Sequence, residues 1–270
     1  MDQKQKTNNM LISVIIPAFK QEKTIEKDLL RIKEVLDQLR YDYEMIVVVD
    51  GKYDKTFENA KNINSPKVIV VGYEHNHGKG FAIRYGMVRA RGQIVGFIDS
   101  GMDLDPNGLS ILLEHFQWYN ADIIVGSKRH PASKFNYPVG RRAISFLSQI
   151  FIMILFGMSV RDTQVGMKFF RREVIEDVMP RLLVKNFAFD IEILAVAYSL
   201  GYKRIFEAPV DLNFNYEGSI ISQKLFEVIY RTFYDTLGIF YRLKVIHYYD
   251  NKNKRKWKYD SDLNLRVNLP

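Results

Sequence analysis

The chain has 270 residues, 47% of them hydrophobic, with a formal charge of +8 at pH 7. That length and apolar content suit one large domain with a full core, or two modest ones, and exclude a disordered chain. The absence of cysteine excludes a disulfide framework, a thiolate zinc site and a cysteine nucleophile, and the positive charge asks for an anionic partner: nucleic acid, a phosphorylated substrate or an acidic membrane surface.

Met1 to Asn9 is polar and holds no apolar signal core, so the protein is expected not to be exported. Leu11 to Ala18 and Glu44 to Asp50 are nearly continuous apolar runs, the pattern of parallel strands buried on both faces, and Lys67 to Gly72, Ile94 to Asp99 and Asp122 to Gly126 repeat it. Between the first two, Ile25, Leu29, Ile32, Leu36 and Leu39 recur at helical spacing. This alternation predicts right-handed βαβ crossovers and a doubly wound, mostly parallel α/β sheet that takes ligands outside the carboxyl ends of its strands. After Arg129 a polar connection, His130 to Gly140, leads to a helix starting at Arg141. Its apolar stretch, Ile150 to Phe156, is shorter than the roughly 20 residues a bilayer requires and suits a core or interfacial helix. Asn186 to Leu200 reads as an amphipathic helix and Lys203 to Phe214 as a strand or strand pair. Ser222 to Tyr248 reads as a helix whose stripe of Phe226, Ile229, Tyr230, Phe233, Leu237, Phe240 and Tyr241 either packs on the body or lies on a membrane. Lys252, Lys254, Arg255, Lys256 and Lys258 then surround Trp257 in a basic tail, expected to anchor the protein to anionic lipid.

Chemistry concentrates at the strand ends. Gly96 to Pro106 carries an apolar strand into Asp99, Asp103 and Asp105. Asp105 before Pro106 suits a helix cap; Asp99 and Asp103 have no such local role and are expected to hold a divalent cation on a diphosphate. Asn76-His77-Gly78-Lys79-Gly80 offers glycines for close backbone approach and a lysine at a helix start. His75 and His77 lack a partner at ligand spacing. Asp50-Gly51 is either a tight turn or an acceptor for a nucleotide base.

Ser13 to Phe19 with Glu22, Val48 to Gly51, Asn76 to Gly80 and Phe97 to Asp99 together resemble the inverting family 2 glycosyltransferases of GT-A fold. Gly126 to Arg129, Arg141 with Ser145, Asp162 to Phe170, Phe189 to Glu192, Leu200 to Tyr202 and Ala208 to Val210 resemble, within that family, the dolichyl- or polyprenyl-phosphate sugar synthases. The resemblance runs from Leu11 to Val210. It implies a donor site of Pro17, Ala18, Phe19, Glu22, Asp50, Lys79, Asp99 and Ser100 for a nucleotide sugar. It also implies Mg2+ or Mn2+ on Asp99 and Asp103, and an acceptor-phosphate cradle of Lys128, Arg129, Arg141 and Ser145. Gly101 stands where the family's metal motif has its second carboxylate, and Tyr216 to Ser219 lacks the usual arginine and lysine, Lys224 being the nearest later cation.

A lipid monophosphate is an anion at pH 7, its second pKa being about 6, so this chemistry needs cations more than a base. Asp99, Asp103 and Arg141 are the expected catalytic residues. A hydroxyl acceptor would instead need a base, for which Asp190 or Glu192 is available. A different class of function is a non-catalytic membrane-binding relic in which Gly101 marks a dead donor site. Nucleic acid is not expected as a partner, because no reading motif accompanies the charge. The expected organisation is a catalytic domain over 1–218 and an amphipathic, basic extension over 219–270, peripheral to the cytoplasmic face of a membrane.

Overall fold

The apolar runs form β1 (Leu11–Ala18), β2 (Asp42–Asp50), β3 (Val68–Tyr73), β4 (Ile94–Ile98) and β5 (Ile123–Ser127), all running one way. The computed structural model describes residues 10–134, 139–212 and 225–268, with their side chains except those of 139–144, 225, 226 and 255. The boundary expected at 218/219, the Tyr216 to Ser219 turn, Lys224 and the side chains of Arg141 and Phe226 lie outside the described residues. Two further strands complete a seven-stranded sheet of order β3-β2-β1-β4-β6-β5-β7. β6 (Met167–Arg171) lies antiparallel between β4 and β5, and β7 (Ile205–Pro209) is parallel to β5.

Helices cover both faces, which is why β1 shows no alternation: Ile12, Val14, Ile15 and Ile16 are all fully buried. On one face lie α1 (Ile25–Asp37), packing Leu29, Ile32 and Leu36, and α4 (Gly108–Trp118). On the other lie α3 (Lys79–Met87), α7 (Phe189–Ser199) and the buried edge of α8 (Leu225–Phe240). The short α2 (Thr56–Lys61), α5 (Val139–Phe156) and α6 (Arg172–Val178) complete the set.

Two expectations change and two become more definite. α4 begins at Gly108, not Pro106; Asp105 instead closes the preceding turn, its Oδ1 accepting from Asn107 N at 3.0 Å. α7 is not amphipathic, since every residue from Phe189 to Ala197 is buried beneath its neighbours. Of the strand or strand pair expected in Lys203 to Phe214, the described residues form one strand, β7; Asp211 and Leu212 form single bridges to Lys134 and Leu104, which pins the loop after Asp103. Finally, the described part of the C-terminal extension shares the main core. Ile239, Leu243 and Tyr249 join the α3 and α7 cluster, and a hairpin of β8 (Lys258–Asp260) and β9 (Leu265–Val267) lays Leu263 and Val267 on Phe81. Trp257 meets the Arg181 guanidinium at 5.2 Å, so the basic tail is folded onto the body, with Lys252, Lys254, Lys256 and Lys258 exposed.

Candidate active site

At the carboxyl end of β4 the chain turns through Asp99, Ser100 and Gly101 beside the end of β1. The Ser100 hydroxyl faces the Pro17 carbonyl oxygen at 2.7 Å and the Gln21 side-chain carbonyl, tying the two strand ends together. Phe19 follows, edge-on to Tyr53 at 6.0 Å, with the Lys20 ammonium over both rings. Ala18 is buried beneath them, whereas Glu22 is exposed and accepts from Lys55 N at 3.2 Å. Next to this ledge opens a cavity of about 580 Å3 lined at its polar end by Lys79, Asp99, Asp103, Lys128, Ser145 and Asp190.

The polar end is a chain of alternating charges. Lys168, fully buried in the middle of β6, sits 2.5 Å from Asp190 Oδ1. Asp190 Oδ2 is 3.4 Å from Lys79 Nζ, and Lys79 Nζ reaches Asp99 at 2.8 Å from Oδ1 and 2.9 Å from Oδ2. Burial alone would raise the Asp190 carboxyl, but the two lysines outweigh it and hold it below the ordinary carboxylate range. For Lys79 burial works against the charge and the Asp190 and Asp99 carboxylates prevail, so the ammonium is held above its ordinary value. Such an Asp190 is a poor base. Glu192 is no better placed: it is fully buried, lines no part of the cavity, and accepts from Leu183 N, Val184 N and the Tyr249 hydroxyl.

The glycine turn works differently from the sequence expectation. Gly78 and Gly80 do come close to a backbone, but it is the chain's own: a Cβ on Gly78 would lie 2.5 Å from Lys185 O, and one on Gly80 2.6 Å from Phe189 Cβ. The first free N–H groups of α3 are spent there too, Gly80 N donating to Lys185 O at 2.7 Å. The turn therefore aims Lys79 at carboxylates and leaves no open helix end for a phosphate. Asp50 is likewise redirected. It accepts from Asn76 Nδ2 (2.7 Å), His77 N (2.7 Å), Gly78 N (3.0 Å) and the Tyr73 hydroxyl (2.9 Å), so its carboxylate holds the turn in place and has no capacity left for a base.

On the opposite wall Ser145 Oγ accepts from Arg129 Nη2 at 3.0 Å, and Lys128 N donates to Asp162 at 3.0 Å, which brings the Lys128 and Ser145 side chains to the cavity. Arg141 occupies the first turn of the same helix. Beyond these groups the lining becomes apolar: Leu147, Phe151 and Ile152 from α5 face Val228, Ile229 and Phe233 from α8, with Phe151 stacked on Phe233 at 5.3 Å. The sequence carried Gly166 and Lys168 only as part of the Asp162 to Phe170 motif and the apolar wall only as two separate apolar helices, with no role for either at the cavity. A lysine inside the strand run Met167 to Arg171 was the available signal, since a charge there has to be paired.

A divalent cation does not fit the donor set as the family motif would have it. Mg2+ needs near-octahedral oxygen ligands. Asp99 Oδ2 accepts from the Lys79 ammonium at 2.9 Å and Oδ1 lies 2.8 Å from the same nitrogen, Gly101 supplies no ligand, and among the described residues Asp99 and Asp103 are joined by no third His, Cys, Asp or Glu side chain that could hold an ion. A second cation on Asp99 would meet the first at short range.

A mostly parallel sheet with one antiparallel insertion, carrying carboxylates and cations at its strand ends, is the GT-A arrangement. Residues 13–179 match the model of glycosyl transferase family 2, and the chain belongs to that family. It is 33% identical over 210 residues to the dolichyl-phosphate beta-glucosyltransferase of Drosophila melanogaster, covering 70% of this chain and 63% of that one, so it spans under two thirds of that relative's length. A dolichyl-phosphate beta-glucosyltransferase of Trichomonas vaginalis is 31% identical over 261 residues, 89% of this chain and 77% of the relative. Among solved structures, glucosyl-3-phosphoglycerate synthase from Mycobacterium tuberculosis in complex with uridine diphosphate superposes with a TM-score of 0.65 at 18% identity, over 86% of this chain and 80% of that one. The same enzyme with Mn2+, uridine diphosphate and phosphoglyceric acid gives 0.59 at 21% identity, over 83% and 78%. These last likenesses are of fold.

Proposed function

We propose that the chain transfers a sugar from a nucleotide-sugar donor to a polyprenyl (dolichyl-type) phosphate, docked peripherally at the cytoplasmic face of a membrane. The observation that carries this reading is the divided cavity: Lys128 and Ser145 at one end and an aromatic and aliphatic trough between α5 and α8 at the other. A phosphate headed by two charges and tailed by isoprene matches both halves, whereas a soluble sugar hydroxyl has no use for the trough. The names of the fly and trichomonad relatives support the same acceptor.

In this reading a phosphate oxygen of the acceptor, placed by Lys128, Ser145 and the Arg129 that bonds it, attacks the anomeric carbon as the bond to the donor's diphosphate breaks on the far side. One displacement inverts the configuration. No base is required, because the acceptor is already ionised, and this agrees with the low proton affinity of Asp190. Membrane docking is supported by the outer faces of the trough helices. Phe146 and Ile154 on α5 and Tyr230 and Tyr234 on α8 are all large and exposed, and among the described residues no helix is long and apolar enough to cross a bilayer.

The test is transfer of labelled sugar from a panel of nucleotide sugars, UDP-glucose first, to polyprenyl phosphate, to polyprenol and to water. Organic-phase label that requires the phosphate is the expected outcome. Transfer to polyprenol with equal rate would replace this reading by a hydroxyl acceptor, and no transfer from any donor would favour a relic.

A further inference from the structure

We propose that Lys79 stands in for the divalent cation, its ammonium facing the donor diphosphate so that the nucleotide is bound without Mg2+ or Mn2+. This rests on the donor reading above.

The position of Gly101 is the first ground. Its backbone is not in the left-handed region, and a Cβ there would meet only Gln21 Nε2, at 3.9 Å. The fold has room for a carboxylate at 101, so nothing in the packing requires its absence. What the site has in its place is a fixed cation. Lys79 lines the cavity with its side chain 17% exposed, and its nitrogen bonds Asp99 on one side and Asp190 on the other. An ammonium has three donors. Its hydrogen bonds run to Asp99 Oδ2 and Asp190 Oδ2, which leaves the third donor for a ligand in the cavity.

The surroundings hold that ammonium in place. Gly78 and Gly80 clamp the start of α3 against residues 185–189, Asp50 ties the turn from the other side, and Asp190 is itself fixed by the buried Lys168. A lysine kept only for solubility would not be placed between two glycines that pack against backbone, nor be paired twice at the mouth of a cavity. A preorganised charge of this kind stabilises a departing diphosphate without reorganising when the bond breaks.

The experiment titrates the full chain with UDP, GDP and ADP by calorimetry, in EDTA and in Mn2+, alongside Lys79→Met and Gly101→Asp, with thermal unfolding recorded for each. Expected is wild-type binding of one nucleotide that changes less than about threefold between EDTA and Mn2+, a loss of at least about tenfold in Lys79→Met, and Mn2+-enhanced binding only in Gly101→Asp. Wild-type binding that disappears in EDTA and returns with Mn2+ overturns the inference and leaves the donor reading standing. Failure to bind any nucleotide in either condition overturns both. The wild-type comparison decides the matter even where a variant fails to fold.

Discussion

Asp99 keeps its orientation because the residue across from it is Gly166. Asp99 N donates to Gly166 O at 2.9 Å, and a Cβ on Gly166 would fall 1.9 Å from Asp99 Oδ2. Gly166→Ala is therefore expected to push the carboxylate off Lys79 and to lower donor turnover by about a hundredfold, the scale of a misplacement near 1 Å, with circular dichroism unchanged; turnover within threefold of wild type would mean that Asp99 need not be held. Asp190 belongs to stability as much as to the site. Its folded-state pKa lies below the ordinary 3.8, so it contributes stability that is present above that value and lost as pH falls through the folded one. Asp190→Asn leaves Lys168 buried without a counterion and is expected to cost about 3–5 kcal/mol at pH 7. The gap from wild type should narrow as the pH falls below the ordinary 3.8 and through the lower folded-state value, where the native wild-type carboxyl in turn takes up its proton. Denaturant unfolding across pH measures this, and a gap independent of pH would show that the charge is not what Asp190 supplies.

At the scale of elements, α5 and α8 act as a pair. Each buries a narrow edge, Ile152 and Phe156 on one and Thr236 and Ile239 on the other, and each keeps large apolar side chains outside. The stripe read from Ser222 to Tyr248 thus packs one edge on the body, and its exposed side is the face proposed above to meet a membrane. Ile154 and Tyr230, 77% and 62% exposed, are not part of the lining of the site cavity and can be changed without touching it. Ile154→Glu with Tyr230→Glu is expected to reduce sedimentation with anionic vesicles by about tenfold, a loss of some 1.4 kcal/mol, while nucleotide binding stays as in wild type. Retention of full vesicle binding would shift the docking surface to the cations from Lys252 to Lys258, each contributing about 1 kcal/mol near anionic lipid and each weakened by salt.

Across the whole molecule, the C-terminal segment closes the fold. Tyr249 donates to the buried Glu192 at 2.7 Å, Arg181 donates to the Tyr249 carbonyl at 2.8 Å, and Asn268 N reaches Pro180 O at 2.8 Å, so residues far beyond the family match secure the underside of α7. A chain ending at Asp260 loses Leu263 and Val267 from their places on Phe81. Two buried side chains at about 1.5–3 kcal/mol each should lower the melting temperature by roughly 10 °C. Calorimetry checks this; an unchanged midpoint would make the tail a free appendage after all.

What the sequence by itself determined is the part set by neighbours along the chain. The apolar runs and the helical spacing of Ile25, Leu29, Ile32 and Leu36 predict the βαβ order, and a strand that ends in Asp99 puts that carboxylate at the ligand edge whatever the rest does. Tertiary structure alone decided what each charged group faces. Lys79 and Asp190 are 111 residues apart and Asp50 meets a turn 27 residues on, so no local pattern distinguishes an acceptor for a nucleotide from an acceptor for the chain's own N–H groups. The burial of α7 on every side, the pairing of Lys168 inside β6 and the docking of the tail are of the same kind. A charge or an apolar stripe is legible in one dimension, but its partner is chosen by distances that exist only once the sheet has closed around it.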